Sequence, residues 1–130
     1  MKQYNVVAAI IQNNNKILCV QRGPSKYDYI SKKFEFPGGK QEENESKEEA
    51  LEREIKEELG INITIASEFL VVDHTYPDFK LVMHSYLCTA DNYELQLTEH
   101  IDFKWLRPEE LHQLDWAAAD LPIVEKLMSN

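Results

Sequence analysis

A chain of 130 residues has room for one sizeable core and not for two, and its 43% hydrophobic and 28% charged residues are those of an ordinary water-soluble globule. The formal net charge of −9 excludes a broad nucleic-acid surface, which needs a basic patch, but leaves a small nucleotide open, because a divalent cation inverts local charge. No run of about 18 apolar residues occurs, and the apolar part of MKQYNVVAAIIQNNN runs into Asn rather than a small-residue cleavage site, so neither a membrane span nor a signal peptide is expected and the cytoplasm is the expected compartment.

Residues 4–11, YNVVAAII, read as a strand buried on both faces. Asn13-Asn14-Asn15 is a turn signal, and residues 16–22, KILCVQR, form the returning strand of a hairpin. Arg22 ends that strand with a fixed positive fork suited to phosphate oxygens. Residues 23–33 are a polar loop able to flank a site. Phe34-Glu35-Phe36 is a short strand stopped by Pro37, and Gly38-Gly39 is a turn that lets a phosphate or another group come close to the main chain.

A helix over residues 47–59 follows, with Ser46 and Glu49 as a capping box, Gly60 as the stop, and Leu51, Ile55 and Leu59 as the core stripe. Residues 61–73 read as one or two strands with a bend at Ala66-Ser67-Glu68, and residues 74–78 as a turn. Residues 79–89 make a partner strand, 90–98 a loop, and 101–106 another strand. Pro108 opens a short helix, and a last helix spans about Leu121 to Met128 with Asp120 near its N-cap. Cys19 and Cys88 sit in apolar runs and are expected to be buried free thiols.

At about 100° per residue, Glu54, Glu57 and Glu58 share one face of the helix, beside the apolar stripe. Glu49 precedes Arg53 by four residues and Glu52 precedes Lys56 by four, so these charges are expected to pair, whereas Glu54 faces Glu57 and Glu58 at a cost of about 0.2–0.5 kcal/mol per like-charge pair. A divalent cation resolves that repulsion, and carboxylate oxygens suit Mg²⁺ or Mn²⁺.

Gly39, Glu45, Arg53, Glu54, Ile55, Glu57, Glu58, Gly60 and Ile61 follow G-x5-E-x7-R-E-[apolar]-x-E-E-x-G-[apolar] without a departure, and this resembles the Nudix box. The EFPGGK lead-in and the A-D-x-P segment before the last helix are similar to the MutT-like and CTP-pyrophosphohydrolase-like group of Nudix hydrolases. The resemblance implies an α/β fold, a mixed β-sheet sandwiched between α-helices (α/β/α), as one domain over residues 1–130. It implies hydrolysis of a nucleoside triphosphate to the monophosphate and pyrophosphate with Mg²⁺, or Mn²⁺ in its place. Glu54, Glu57, Glu58 and the Gly38 carbonyl would hold metal. Arg53 would orient the acids, Glu45 would support the loop, and Glu54 or Glu99 would act as general base. Arg22, Gly38, Gly39 and Asp120 would bind substrate. Asp120 stands where the MutT protein carries Asn; ionised, it would only accept hydrogen bonds, as from a cytosine amino group or the N–H groups of guanine or an oxidised guanine.

Phe34, Tyr76 and Phe79 are candidates to stack on a base, with core packing the alternative for each. His74, His84, His100 and His112 show no metal-ligand spacing and read as structural or exposed. A small-molecule nucleotide is the expected partner, with no nucleic-acid polymer or membrane, and the chain is expected as a monomer or weak homodimer. Hydrolysis of ADP-ribose, sugar nucleotides or dinucleoside polyphosphates, and nucleotide binding without catalysis, remain alternatives.

Overall fold

Strand β1 (Lys2–Asn13) is the wall shared by two cores, one on each face of the sheet where the chain length led to the expectation of one, in the computed structural model, which describes residues 1–129. Alternation sends Val7, Ala9 and Ile11 to one face and Ala8 and Ile10 to the other. Helix α1 (Lys47–Leu59) closes the first face with Ala50, Leu51, Ile55 and Leu59. Helix α2 (Leu121–Met128) closes the second with Ile123, Val124 and Leu127. The expected sandwich of a mixed sheet between helices is therefore present.

Asn14 and Asn15, at φ 51° and 64°, turn the chain into β2 (Lys16–Arg22). The hairpin pairs only at Gln12↔Ile17 and Asn13↔Lys16. Beyond that the strands part. β2 pairs with β3 (Phe34–Glu35) and β7 (His100–Leu106). β1 pairs antiparallel with β4 (Gly38–Lys40) and parallel with β6 (Phe79–Ala90), which in turn pairs antiparallel with β5 (Ile63–Thr75).

Several local expectations change. Gly38-Gly39 is strand rather than turn, because the Pro37 carbonyl accepts from Ala9 N–H and the chain continues along β1. Residues 63–75 form one strand, and the expected bend at 66–68 is a pair of bulges, with Ser85 Oγ accepting from Leu70 N–H and donating to Leu70 O across the second. The helix after Pro108 is a 3-10 helix, Pro108–Gln113. Helix α1 has the expected bounds, with both arms of the Ser46–Glu49 box formed and Gly60 left-handed at φ 71°. Cys19 and Cys88 are buried and free. Among the described residues no helix is long and apolar enough to cross a membrane.

Candidate active site

A cleft of about 950 Å³ opens where β1 and β2 diverge. Arg22, Gly38, Gly39, Glu54, Glu58, Glu99 and Asp120 all line it. Arg53 and Glu57 do not.

The α1 end is built by close backbone approach. A Cβ on Gly38 would collide with the Val7 carbonyl oxygen, and one on Gly39 with the Glu54 carboxylate. Bare glycine at both positions thus seats β4 against β1 and Glu54 against β4. Arg53 organises the surrounding acids. Its Nη2 donates to Glu45 Oε1 at 2.7 Å and to Lys40 O at 3.1 Å, its Nε donates to Glu45 Oε2 at 3.1 Å, and Nη1 reaches Glu54 at 3.2 Å and Glu57 at 3.3 Å. The Arg53 guanidinium and the Glu42 N–H hold the Glu45 carboxyl below its usual range. Two expectations fail here. Among the ion pairs of the described residues, Arg53 is turned away from Glu49, which is occupied at the helix cap, and Glu52–Lys56 is absent. Glu54 and Glu57 are also not unpaired: the 41–45 loop folds back and brings Arg53 across them.

Glu58 differs from both. It is 1% exposed, and its Oε2 has no hydrogen-bond partner. Burial, then the neighbouring Glu54, then the charges of Glu35 and Glu99, push its carboxyl well above the ordinary range. The 91–99 segment is tied to the end of α1, with Gln96 N–H donating to Leu59 O, Thr98 N–H to Glu58 O, and Thr98 Oγ1 to Glu57 O. These bonds satisfy helix-end carbonyls and deliver Glu99 to the cleft, exposed and near Glu58. Neighbouring His100 places Nε2 at 3.0 Å from Glu35 Oε2 and Nδ1 at 3.7 Å from Glu58 Oε1. Glu35 Oε1 in turn accepts from Arg22 Nη1 at 3.1 Å. Sequence reasoning missed Glu35 and His100 as site residues. The one available signal was Glu35 itself, a carboxylate between two aromatics on an alternating strand.

At the α2 end, Asp120 is at the helix N-cap position but makes no capping bond. Its Oδ1 instead accepts from Phe36 N–H at 3.1 Å. Burial, then the charge of Glu35, raise its pKa well above the usual value. The direction is away from the expected ionised, acceptor-only Asp120 and toward a protonated carboxyl, which donates as well as accepts. Ala119 N–H donates to Tyr76 Oη at 2.9 Å, and Phe36 stacks on Trp116. Tyr76 and Phe79 line the cleft, whereas Phe34 is core.

Among the described residues, no three His, Cys, Asp or Glu side chains converge into a ready cation site; Arg53 draws Glu57 outward. The donors fit a hard divalent cation in kind: Glu58 Oε2 is buried without a partner beside Glu54, and both are carboxylates at a water-accessible cleft.

A family profile described as the NUDIX domain matches residues 6–126. The chain is 39% identical over 131 residues to the CTP pyrophosphohydrolase of Escherichia coli K12, covering 99% of this chain and 94% of the relative. It is 31% identical over 128 residues to the 8-oxo-dGTP diphosphatase of the same organism, covering 98% of each. The solution NMR structure of the DNA mismatch repair protein MutT (family Nudix hydrolase) from methicillin-resistant Staphylococcus aureus 252 is similar at a TM-score of 0.75 and 41% identity, covering 99% of this chain and 98% of that one.

Proposed function

The chain belongs to the Nudix hydrolase family, and from that premise we propose that it is a single-domain pyrophosphohydrolase cleaving a (deoxy)nucleoside triphosphate to the monophosphate and pyrophosphate. The names borne by its relatives support CTP, a modified pyrimidine nucleotide, or an oxidised purine nucleotide such as 8-oxo-dGTP as substrate. The family acts on small nucleotides and generally uses a divalent cation. Here Mg²⁺, with Mn²⁺ able to replace it, would be held by Glu54, Glu57, Glu58 and the Gly38 carbonyl. Such a cation supplies charge neutralisation for the phosphates and a lowered pKa for the attacking water.

The chain's own groups do the rest. Arg53 fixes Glu54 against Gly39. Arg22, half-exposed at the cleft, offers a permanent charge to phosphate oxygens. Glu54 and Glu99 both face the cleft, and either can take the proton of the water that attacks phosphorus. Asp120, its carboxyl shifted by burial toward the protonated form, offers a hydrogen-bonding group to the base edge, while Tyr76 holds Ala119 and so the turn that carries Asp120. The single observation behind this reading is the buried, partnerless Glu58 oxygen at a cleft that also holds Glu54, Glu99 and Arg22.

The test is turnover of a panel of canonical NTPs and dNTPs, 8-oxo-dGTP and 5-substituted dCTP in Mg²⁺, compared by kcat/KM. Pyrophosphate release from at least one member is expected, and no release from any member sinks the proposal.

A further inference from the structure

β7 inverts the usual preference at its first two residues. Ile101 is 54% exposed, while the side chain of His100 is 4% exposed. A register shift causes the inversion: Gln21 pairs with Asp102, but Arg22 pairs with His100, which leaves Ile101 as an extra residue. A bulge of this kind re-aims a side chain. This one turns an isoleucine to water and a histidine inward, although hydrophobic burial favours the opposite arrangement.

The inward ring lands between two carboxylates. Its Nε2 lies within hydrogen-bond distance of Glu35, and its Nδ1 lies 3.7 Å from Glu58 Oε1, longer than a hydrogen bond and within the range of an ion pair. The Nδ1 atom has no other partner. Glu58 Oε1 thus faces the ring, and Oε2 is the oxygen left without a partner.

We propose that His100 is a positioning residue for the cation site: Glu35 anchors its ring through Nε2, and the ring through Nδ1 orients Glu58 so that Oε2 is presented to a divalent cation. The bulge at Ile101 exists to put it there. Because Glu35 also carries Arg22, the same ring joins the cation end of the cleft to its phosphate-binding arginine. The inference rests on the cation reading of Glu58 given above.

The two nitrogens can be tested separately. An Asn side chain places its amide nitrogen near the position of Nδ1, and a Gln side chain near that of Nε2. Mn²⁺ binding to the full chain, without nucleotide, is measured by electron paramagnetic resonance for wild type, Glu58→Gln, His100→Ala, His100→Asn and His100→Gln, with thermal unfolding of each. Losing an outer partner of a ligand weakens metal affinity by about 10–100-fold. His100→Ala and His100→Gln are expected to show that loss, while His100→Asn stays within about threefold of wild type because it keeps the nitrogen facing Glu58. Unchanged affinity in His100→Gln, or equal losses in Asn and Gln, overturns the proposal; the Asn and Gln pair decides it even where Ala does not fold. If Glu58→Gln binds Mn²⁺ as tightly as wild type, the cation reading of Glu58 itself fails. If Glu58→Gln loses affinity and His100→Gln does not, only the role of His100 fails.

Discussion

The two ends of the cleft each bury a carboxyl group, and they treat it differently. Glu58, under α1, has an oxygen with no hydrogen-bond partner and carboxylates for neighbours. Asp120, before α2, has an oxygen bonded to the Phe36 N–H and a turn held by Tyr76. Both are raised in pKa by burial first. An unsatisfied buried carboxylate is costly unless something charged arrives to pair with it, which is the ground for the proposal that Glu58 holds a cation. Asp120 already has a backbone N–H partner and so does not call for a cation, which accords with the proposal that it meets a base edge.

Neutralising each group isolates the difference. Glu58→Gln should reduce kcat on the order of 10²–10³-fold, since it removes a ligand from charge stabilisation of several kcal/mol, at about 1.4 kcal/mol per tenfold; near wild-type turnover would erase the contrast. Asp120→Asn should change the ratio of kcat/KM between cytosine and guanine nucleotides by about 10–100-fold, the value of a hydrogen bond to such a group. A uniform loss across all bases would instead make Asp120 a structural group.

The same two variants carry a pH signature in metal-free buffer. A folded pKa above the ordinary value means the native state binds the proton more tightly than the unfolded one. That stabilisation is fully present below the ordinary carboxylate pKa and is lost as pH rises toward the folded value, with a slope of up to ~1.4 kcal/mol per pH unit per group. Denaturant unfolding of Asp120→Asn from pH 4 to 8 should therefore fall less with rising pH than wild type, with greater stability at neutral pH.

Smaller effects separate the scaffolds. Tyr76→Phe leaves the buried Ala119 N–H without its acceptor and should cost about 1–3 kcal/mol, with base preference disturbed as well. Ser46→Ala removes one arm of the α1 cap and should cost about 1 kcal/mol, with base preference untouched. Unfolding curves and the nucleotide panel measure both, and a shift in preference from Ser46→Ala would blur the two ends together.

The α1 end was far more legible than the α2 end, for reasons of range. Ser46, Glu49, the Leu51–Ile55–Leu59 stripe and Gly60 act within one helix, so its bounds follow from neighbouring residues. What local spacing could not show was which partner each charge would take. Arg53 has Glu49 at helical distance, yet the loop carrying Glu45 offers a bidentate carboxylate, and a fork prefers that geometry. The Phe36–Asp120 bond joins residues far apart in the chain, and the anchoring of Ala119 by Tyr76 has no local pattern. The inward turn of His100 depends on a bulge, and a one-residue slip reverses which side chains face in. Gly38-Gly39 looked like a turn because glycine pairs usually are; here the missing side chains admit strand β1 and Glu54.

The parallel pairing of β1 with β6 also sets an order of events. Lys2 lies beside Phe79 and Ile11 beside Cys88, so during synthesis at 5–20 residues per second β1 waits roughly 4–15 s for its partner. Through that interval the apolar run Val6–Ile11 has only the tip of its hairpin with β2 and the three residues of β4 to pair with. Tyr86 and Cys88 of β6 belong to the core that α1 closes, so α1, though made earlier, cannot complete its packing until β6 arrives.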